Sequence, residues 1–502
     1  MIGFSDTNFR KEYIKPTKDK TTGLMKDKLQ DNFQTGKQKL LPFTLNPVSG
    51  SVYDGTCGLN GVAGEFYRIK TESSVEPIYT PQDTEETLRK ELKNKFKMPD
   101  DDIERFIKVF NDVMFENGTL NVIDLSFFSF VPMKYFDKAN EKVKKVNKYK
   151  SGQPKIADYY TSIAENMDVK FEKKDRDLFC EVVNECLQKD SFGSRIDRDQ
   201  YFVLPFVKKQ FAEDIKWLLG QNNNVIVKYL PLMLYFYASY SLMQTLMFMN
   251  KANWQFKIDK PRPVSYMLSS ERASEGQAAV KKGWSAHDHL PETFLNKMSA
   301  YAQALDILNS MFEDEDQLMT FQEILERFRD MDFDDEAKAT CESVLNTYQD
   351  LKYGLLDDRD TEPHPIAEKK TIDVNSYEDF VNLLLDRCIT YQSKDYPRMK
   401  VALYSLVNIK LFEKRRDYSV LVLDEEMLLF LVAMIAKDDR LRMDDLYKRF
   451  REYGIEFSFQ TKNAISEYLL KLNLLERKSD SGEAQYVRII LLLLSDKRKK
   501  SV

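Results

Sequence analysis

From Tyr229 to Met249 the chain runs 21 residues without a charged side chain. No other feature limits the architecture as much. About 20 consecutive apolar residues suffice to span a bilayer, so such a stretch either crosses a membrane or forms the middle of a core. Its composition argues for the core. It holds Pro231, Ser239, Ser241, Gln244, Thr245 and four tyrosines, lacks Ile and Val, and is flanked by Lys228 without a basic cluster. The expectation is a buried core helix. Met1 to Lys20 is polar and lysine-rich, with no apolar centre, so no secretory signal is expected. Together these features predict a cytoplasmic protein that does not enter the membrane.

The 43% hydrophobic and 31% charged residues can bury a core. At about 100–200 residues per domain, the length allows several domains. A net charge of −5 argues against a chain that coats DNA with its whole surface. A nucleic-acid site would need a local basic cluster. Cys57, Cys180, Cys186, Cys341 and Cys388 are irregularly spaced and form no CxxC pair, which predicts free thiols in a reducing compartment.

Helical periodicity dominates the rest, so the expected fold class is mainly α: a multi-helical body, a loop-rich N-terminal region and a C-terminal winged helix-turn-helix. Residues 1–39 read as a flexible basic arm. An N-terminal helical region, 40–150, opens with a Gly-rich loop (Gly50, Gly55, Gly58, Gly61, Gly64) and leads into Glu65-Phe66-Tyr67-Arg68. Thr84 is placed to cap a helix with Glu85 and Glu86 in its first turn. Asn121 to Phe130 reads as a strand, with a buried helix as the alternative. A central helical domain covers 151–356, with helices over Tyr159–Gln188 and Phe206–Asn222. The acidic segment 357–376 carries Pro363 and Pro365 and reads as a linker. A helical connector, 377–423, follows.

Residues 424–492 carry the most specific pattern. Asp424-Glu425-Glu426 opens a helix with acids at its positive end, and Leu441-Arg442-Met443 can form a short strand. Asp444 is placed to cap a second helix that Gly454 ends. Ser458 caps a third helix, Phe459 to Leu472. Leu474–Lys478 and Gln485–Ile490 are the strands of a wing around Ser479-Asp480-Ser481-Gly482. Such folds often seat the third helix in the major groove. DNA contacts would then come from Gln460, Thr461, Lys462 and Asn463 on that helix, and from Arg477 and Lys478 at the wing. From Asp424 to Ile490, however, eleven basic residues face thirteen acidic ones, and Asp480 and Glu483 at the turn would repel phosphates. Protein contact is the competing reading. The tail 493–502 contains Lys497-Arg498-Lys499-Lys500.

Catalytic motifs are weak. Gly50-Ser51-Val52-Tyr53-Asp54-Gly55-Thr56 has Thr56 where a phosphate loop needs lysine. His287 and His289 could share a strand face as metal ligands, but no third ligand is marked, and His364 is remote. Asp168, Glu172 and Lys174 loosely fit a metal-dependent nuclease triplet, as do Glu368 and Lys370. In a chain this rich in charge, such triplets arise by chance. The expectation is no enzyme, no metal and no cofactor.

The run from Leu470-Lys471-Leu472 through Leu475-Glu476-Arg477-Lys478 to Gln485-Tyr486-Val487 resembles the end of the DptG family. Members of that family are subunits of the bacterial restriction system that depends on DNA phosphorothioation. Similar in character are Leu40-Leu41-Pro42-Phe43 with Gly64-Glu65-Phe66, Leu204-Pro205-Phe206 leading to Asp214 and Trp217-Leu218-Leu219, and the aromatics Tyr235, Phe236 and Tyr237. The resemblance implies antiviral defence by restriction of DNA lacking the sulphur mark, in a complex with other subunits that include ATPases, with DNA as a further contact. It supplies no catalytic residues. The expected function is therefore a non-catalytic scaffold or adaptor subunit. The alternatives are a stand-alone winged-helix transcriptional regulator, and a metal-dependent nuclease using Asp168, Glu172 and Lys174.

Overall fold

The computed structural model describes residues 4–18, 22–29, 42–43, 59–73, 75–116, 119–137, 142–145, 153–164, 167, 169–171, 178–187, 203–249, 259–271, 289–312, 318–353, 371–391, 406, 410–415, 418–437, 440–477 and 485–487. Helices dominate. The described part of 1–39 departs from the expected arm. It forms α1 (Thr7–Tyr13) and an antiparallel hairpin of β1 (Ile14–Lys18) and β2 (Met25–Leu29). Two aromatics among the lysines anchor it. Phe9 is fully buried, and Phe4 meets Phe328 and Tyr377 edge-on at 5.5 Å. Arg10 adds hydrogen bonds to Ser343 and Thr347.

Gly61 and Gly64, expected in a loop, lie in α2 (Asn60–Lys70). A Cβ on Gly64 would stand 2.8 Å from the carbonyl oxygens of Phe128 and Val131. The glycines thus let α2 press its backbone against Leu125–Phe130. That segment is a 3-10 helix rather than the expected strand. Asp124 accepts from the amide and hydroxyl of Ser126 and starts the turn, and a local side-chain bond of this kind competes with strand pairing. In α3 (Gln82–Lys95) Thr84 sits inside the first turn and is buried, so it is not the cap. Asp83 instead accepts from the amides of Tyr79 and Thr80. Next come α4 (Asp100–Met114), with three aspartates in its first turn, the short hairpin β3 (Phe115–Glu116) and β4 (Thr119–Leu120), and the hairpin β5 (Lys134–Asp137) and β6 (Lys142–Lys145). The helix expected over 159–188 is divided into α5 (Gln153–Ile163) and α6 (Leu178–Leu187).

α7 (Pro205–Leu219) leads into α8 (Asn223–Met249), the uncharged stretch. Asn222 caps α8 by accepting from the Val225 amide. Two of its buried hydroxyls are satisfied by the helix itself: Ser241 donates to the Tyr237 carbonyl and Thr245 to the Ser241 carbonyl. Gln244 pairs twice with the Arg262 backbone, both bonds 2.8 Å. α8 is long and apolar enough to cross a membrane, yet 83% of its most apolar window is buried in protein. A stretch so covered packs as a core helix of the body.

The remaining body comprises β7 (Val264–Leu268), α9 (His289–Ser310), α10 (Phe321–Arg329), α11 (Asp335–Tyr353), α12 (Tyr377–Thr390), β8 (Phe412–Arg415) and β9 (Tyr418–Leu423). The C-terminal segment then forms α13 (Glu425–Ala436), α14 (Met443–Glu452), β10 (Ile455–Phe457), α15 (Phe459–Lys471), β11 (Leu475–Arg477) and β12 (Gln485–Val487). Asp424 and Ser458 cap α13 and α15 as their positions suggest. α14 starts one residue before Asp444, which is therefore a first-turn acid and not the cap. One sheet ties this segment to the body. Its strand order is β10-β7-β9-β8, with β7 parallel to both neighbours. The apolar core is contiguous from Phe9 to Val487. Residues 354–370, most of the expected linker, and the tail 493–502 fall outside the described residues.

Candidate functional site

α15 is built by the Ser458 cap, whose hydroxyl accepts from the Thr461 amide, and by Ile465 and Leu469, both fully buried. Its base lies on β7 and β10. Behind it the Arg442 backbone bridges Tyr486, and the Val487 amide donates to the Leu441 carbonyl at 2.8 Å. The hairpin β11–β12 is thereby joined to the strand-like residues before α14. Arg440 pairs with Glu476 and lies 4.9 Å from the Tyr486 ring centre.

The residues selected on α15 do not act as one face. Thr461 is fully buried and its hydroxyl donates to Glu271 at 3.1 Å, so it points into the body. The reason is local: Glu271, itself buried, also accepts from the Leu268 amide at the end of β7. Lys462 is half-buried, its ammonium 5.1 Å from the Tyr447 ring centre, and its carbonyl accepts from the Tyr447 hydroxyl. Gln460 and Asn463 are exposed. Arg477 ends β11, and Lys478 lies outside the described residues.

The exposed positions of α15 are Phe459, Gln460, Asn463, Glu467, Leu470 and Lys471. At 3.6 residues per turn they fall within about 120° of helix rotation. Phe459 and Leu470 are 74% and 38% exposed and stand almost in line along the axis, roughly 16 Å apart at 1.5 Å per residue. Between them lie an amide pair and one carboxylate, with the single cation at the far end. The face is apolar at both ends and electrically neutral.

A second constellation went unmarked as chemistry in the sequence. Asp214, on α7, is fully buried. Its Oδ2 accepts from the hydroxyls of Tyr237 at 2.6 Å and Tyr453 at 2.8 Å. The Lys437 ammonium lies 3.3 Å from Oδ1 as an ion pair. Burial pushes the Asp214 carboxyl up to about 6, against the opposing pull of Tyr237, Lys437 and Tyr453. Tyr240 and Gln210 extend the network, Gln210 reaching the Glu452 carbonyl. A carboxylate with no exposed surface cannot touch a substrate. What it can do is clasp α7, α8, the end of α13 and the end of α14 together. A sequence signal was available: Asp214 sits in phase with Phe211, Ile215 and Leu218, a charged residue in an apolar helical stripe.

Asp168, Glu172, Lys174, His287, His364, Glu368, Lys370 and Gly50 to Thr56 lie outside the described residues. Among the described residues no three His, Cys, Asp or Glu side chains are grouped to hold a metal ion. Cys180, Cys186, Cys341 and Cys388 are buried free thiols. No protein-family model matches the chain, and no curated protein matches it.

Proposed function

We propose that the chain is a non-catalytic adaptor subunit of a phosphorothioation-dependent DNA restriction complex in the cytoplasm. In this reading residues 424–492 act as a winged helix-turn-helix whose third helix holds a partner protein. The resemblance to the DptG family supplies the assembly and its ATPase partners. The observation that carries the protein-binding part is the outward face of α15, neutral and flanked by exposed Phe459 and Leu470. Phosphate contact favours Lys and Arg, whereas protein interfaces favour aromatic and apolar anchors and few charges at the centre. Thr461 is turned inward and Lys462 is held beside Tyr447, which leaves a groove-reading helix short of polar donors.

The test is a pulldown of the tagged full chain from its native host, with co-purifying proteins identified by mass. ATPase subunits should be recovered in fixed ratio. Phe459→Glu combined with Leu470→Glu should lose them at unchanged melting temperature, because hot-spot side chains contribute at least about 2 kcal/mol each. Recovery of the chain alone, as a DNA-bound dimer, would sink the adaptor reading in favour of the regulator.

A further inference from the structure

The hairpin β1–β2 carries a concentration of positive charge, as the hairpin β5–β6 also does. Its described residues include Lys15, Lys18, Lys26 and Lys28 against Asp27, a net +3, in a protein whose total is −5. Its base is held: Leu29 is buried, Ile14 is half-buried, and β2 lies against α11. Beyond the base Lys28 is half-buried and the remaining described residues are exposed. β1 is exposed from Lys15 to Lys18, and at the far end Leu24 and Met25 are 65% and 62% exposed beside Gly23, whose φ is +69°.

The register adds a second observation. Lys15 stands directly across from Lys28, and like charges in directly opposed positions destabilise a strand pair. The same opposition occurs at Lys134 and Lys145 in β5–β6, and an anion between such a pair would relieve the repulsion. Lys18, across from Met25, places a further cation at the tip, about 10 Å along the strand from Lys15 at 3.3 Å per residue.

We propose that the β1–β2 hairpin is a duplex-DNA contact, with Lys15 and Lys28 on one face and Lys18 on the other reaching phosphates of the two groove walls, and Leu24 and Met25 at the tip adding apolar contact. The B-form major groove, about 12 Å wide, admits a two-stranded ribbon along its length, so lysines at both ends of the hairpin are used at once. A membrane surface would meet only the tip and leave Lys15 and Lys28 standing off. A-form RNA closes its major groove to side chains. The chain would thus touch DNA through its N-terminal hairpin and leave α15 for protein. The proposal does not rest on the adaptor reading, since it concerns the isolated chain and the pulldown concerns its partners.

The experiment is fluorescence anisotropy of a labelled 30-base-pair duplex with the purified full chain, titrated between 50 and 200 mM KCl. Each neutralised phosphate contributes about −0.9 to the slope of log affinity against log salt. Replacing the three cations, as Lys15→Gln, Lys18→Gln and Lys28→Gln together, should make that slope shallower by about 2.7. Over the fourfold salt range this is about a 40-fold smaller loss of affinity. Leu24→Ser with Met25→Ser should weaken binding and leave the slope unchanged. If the triple variant melts early, Lys18→Gln alone should still flatten the slope by about 0.9. An unchanged slope overturns the proposal, as does absence of duplex binding by the natural chain. So does lysine-dependent binding to phosphatidylserine vesicles with duplex binding unaffected.

Discussion

Removing the Asp214 carboxylate should loosen the C-terminal helices from the body, and the size of the effect follows from its partners. Asp214→Ala leaves the Tyr237 hydroxyl, on a fully buried ring, and the Tyr453 hydroxyl without an acceptor. Each stranded donor costs about 1–3 kcal/mol. Lys437 is 31% exposed and can turn to water or to Glu213, so its loss adds little. The total is about 3–5 kcal/mol, the range for breaking a buried charge pair from one side. For a chain of this length that is a fall of about 3–5 °C in melting temperature. Asp214→Asn keeps an acceptor and should cost about half as much.

The same group predicts a pH profile. Its folded value of about 6 lies above the ordinary 3.8, so between those values the folded protein holds a proton that the unfolded chain has lost. Stability from this group is therefore greatest below about pH 4. It falls as pH rises to about 6 and is flat above that, a change of up to about 3 kcal/mol at 1.36 kcal/mol per unit. The groups facing it are Lys437, Tyr237, Tyr453, Tyr240 and, through Lys437, Glu213. Melting by calorimetry from pH 4.5 to 7.5 checks both parts, with hydrogen exchange over 425–457 as the local readout. If Asp214→Asn melts like the natural chain and keeps its pH slope, the assignment of this carboxylate as the clasp is wrong.

Two further substitutions test the packing. Gly64→Ala should destabilise by about 1–3 kcal/mol, the usual penalty of overpacking, because its Cβ meets the Phe128 and Val131 carbonyl oxygens at 2.8 Å; Gly23→Ala, with open space around it, serves as a comparison whose cost comes from φ alone, and equal melting of Gly64→Ala and the natural chain would show that α2 can move away. Thr461→Val removes the hydroxyl that meets buried Glu271. It should lower stability by about 1–2 kcal/mol without changing DNA affinity, whereas a weakened duplex affinity at normal stability would return Thr461 to the groove.

Sequence reasoning succeeded where the determinant is local. The helix opened at Asp424-Glu425-Glu426, the Ser458 cap, the apolar stripes of α13 and α15 and the burial of α8 all follow from residues within one or two turns. It failed where the partner is distant. Nothing near Leu125 announces that α2 will lay Gly64 on its backbone, and nothing near Thr461 announces Glu271, 190 positions earlier. The lysines of the first 39 residues outweighed Phe4 and Phe9 in the reading of that segment, although two docked aromatics are enough to order a short helix. Asp214 was visible as a misfit in an apolar stripe, but its three partners lie on elements that only the tertiary fold brings together.

The place of β7 in the middle of its sheet also sets a timetable for biosynthesis. Val264 pairs with Ile455, so after β7 leaves the ribosome about 190 further residues must follow before its second edge is covered. At about 5–20 residues per second this takes roughly 10–40 s. For that interval Val264-Ser265-Tyr266-Met267-Leu268, every residue of which ends up buried, is an apolar strand with at least one open edge, exposed to mispairing with other nascent chains. A fragment cut at residue 424 would carry β10 away from β7 permanently, so truncated products of this chain should be prone to aggregation and dependent on chaperones.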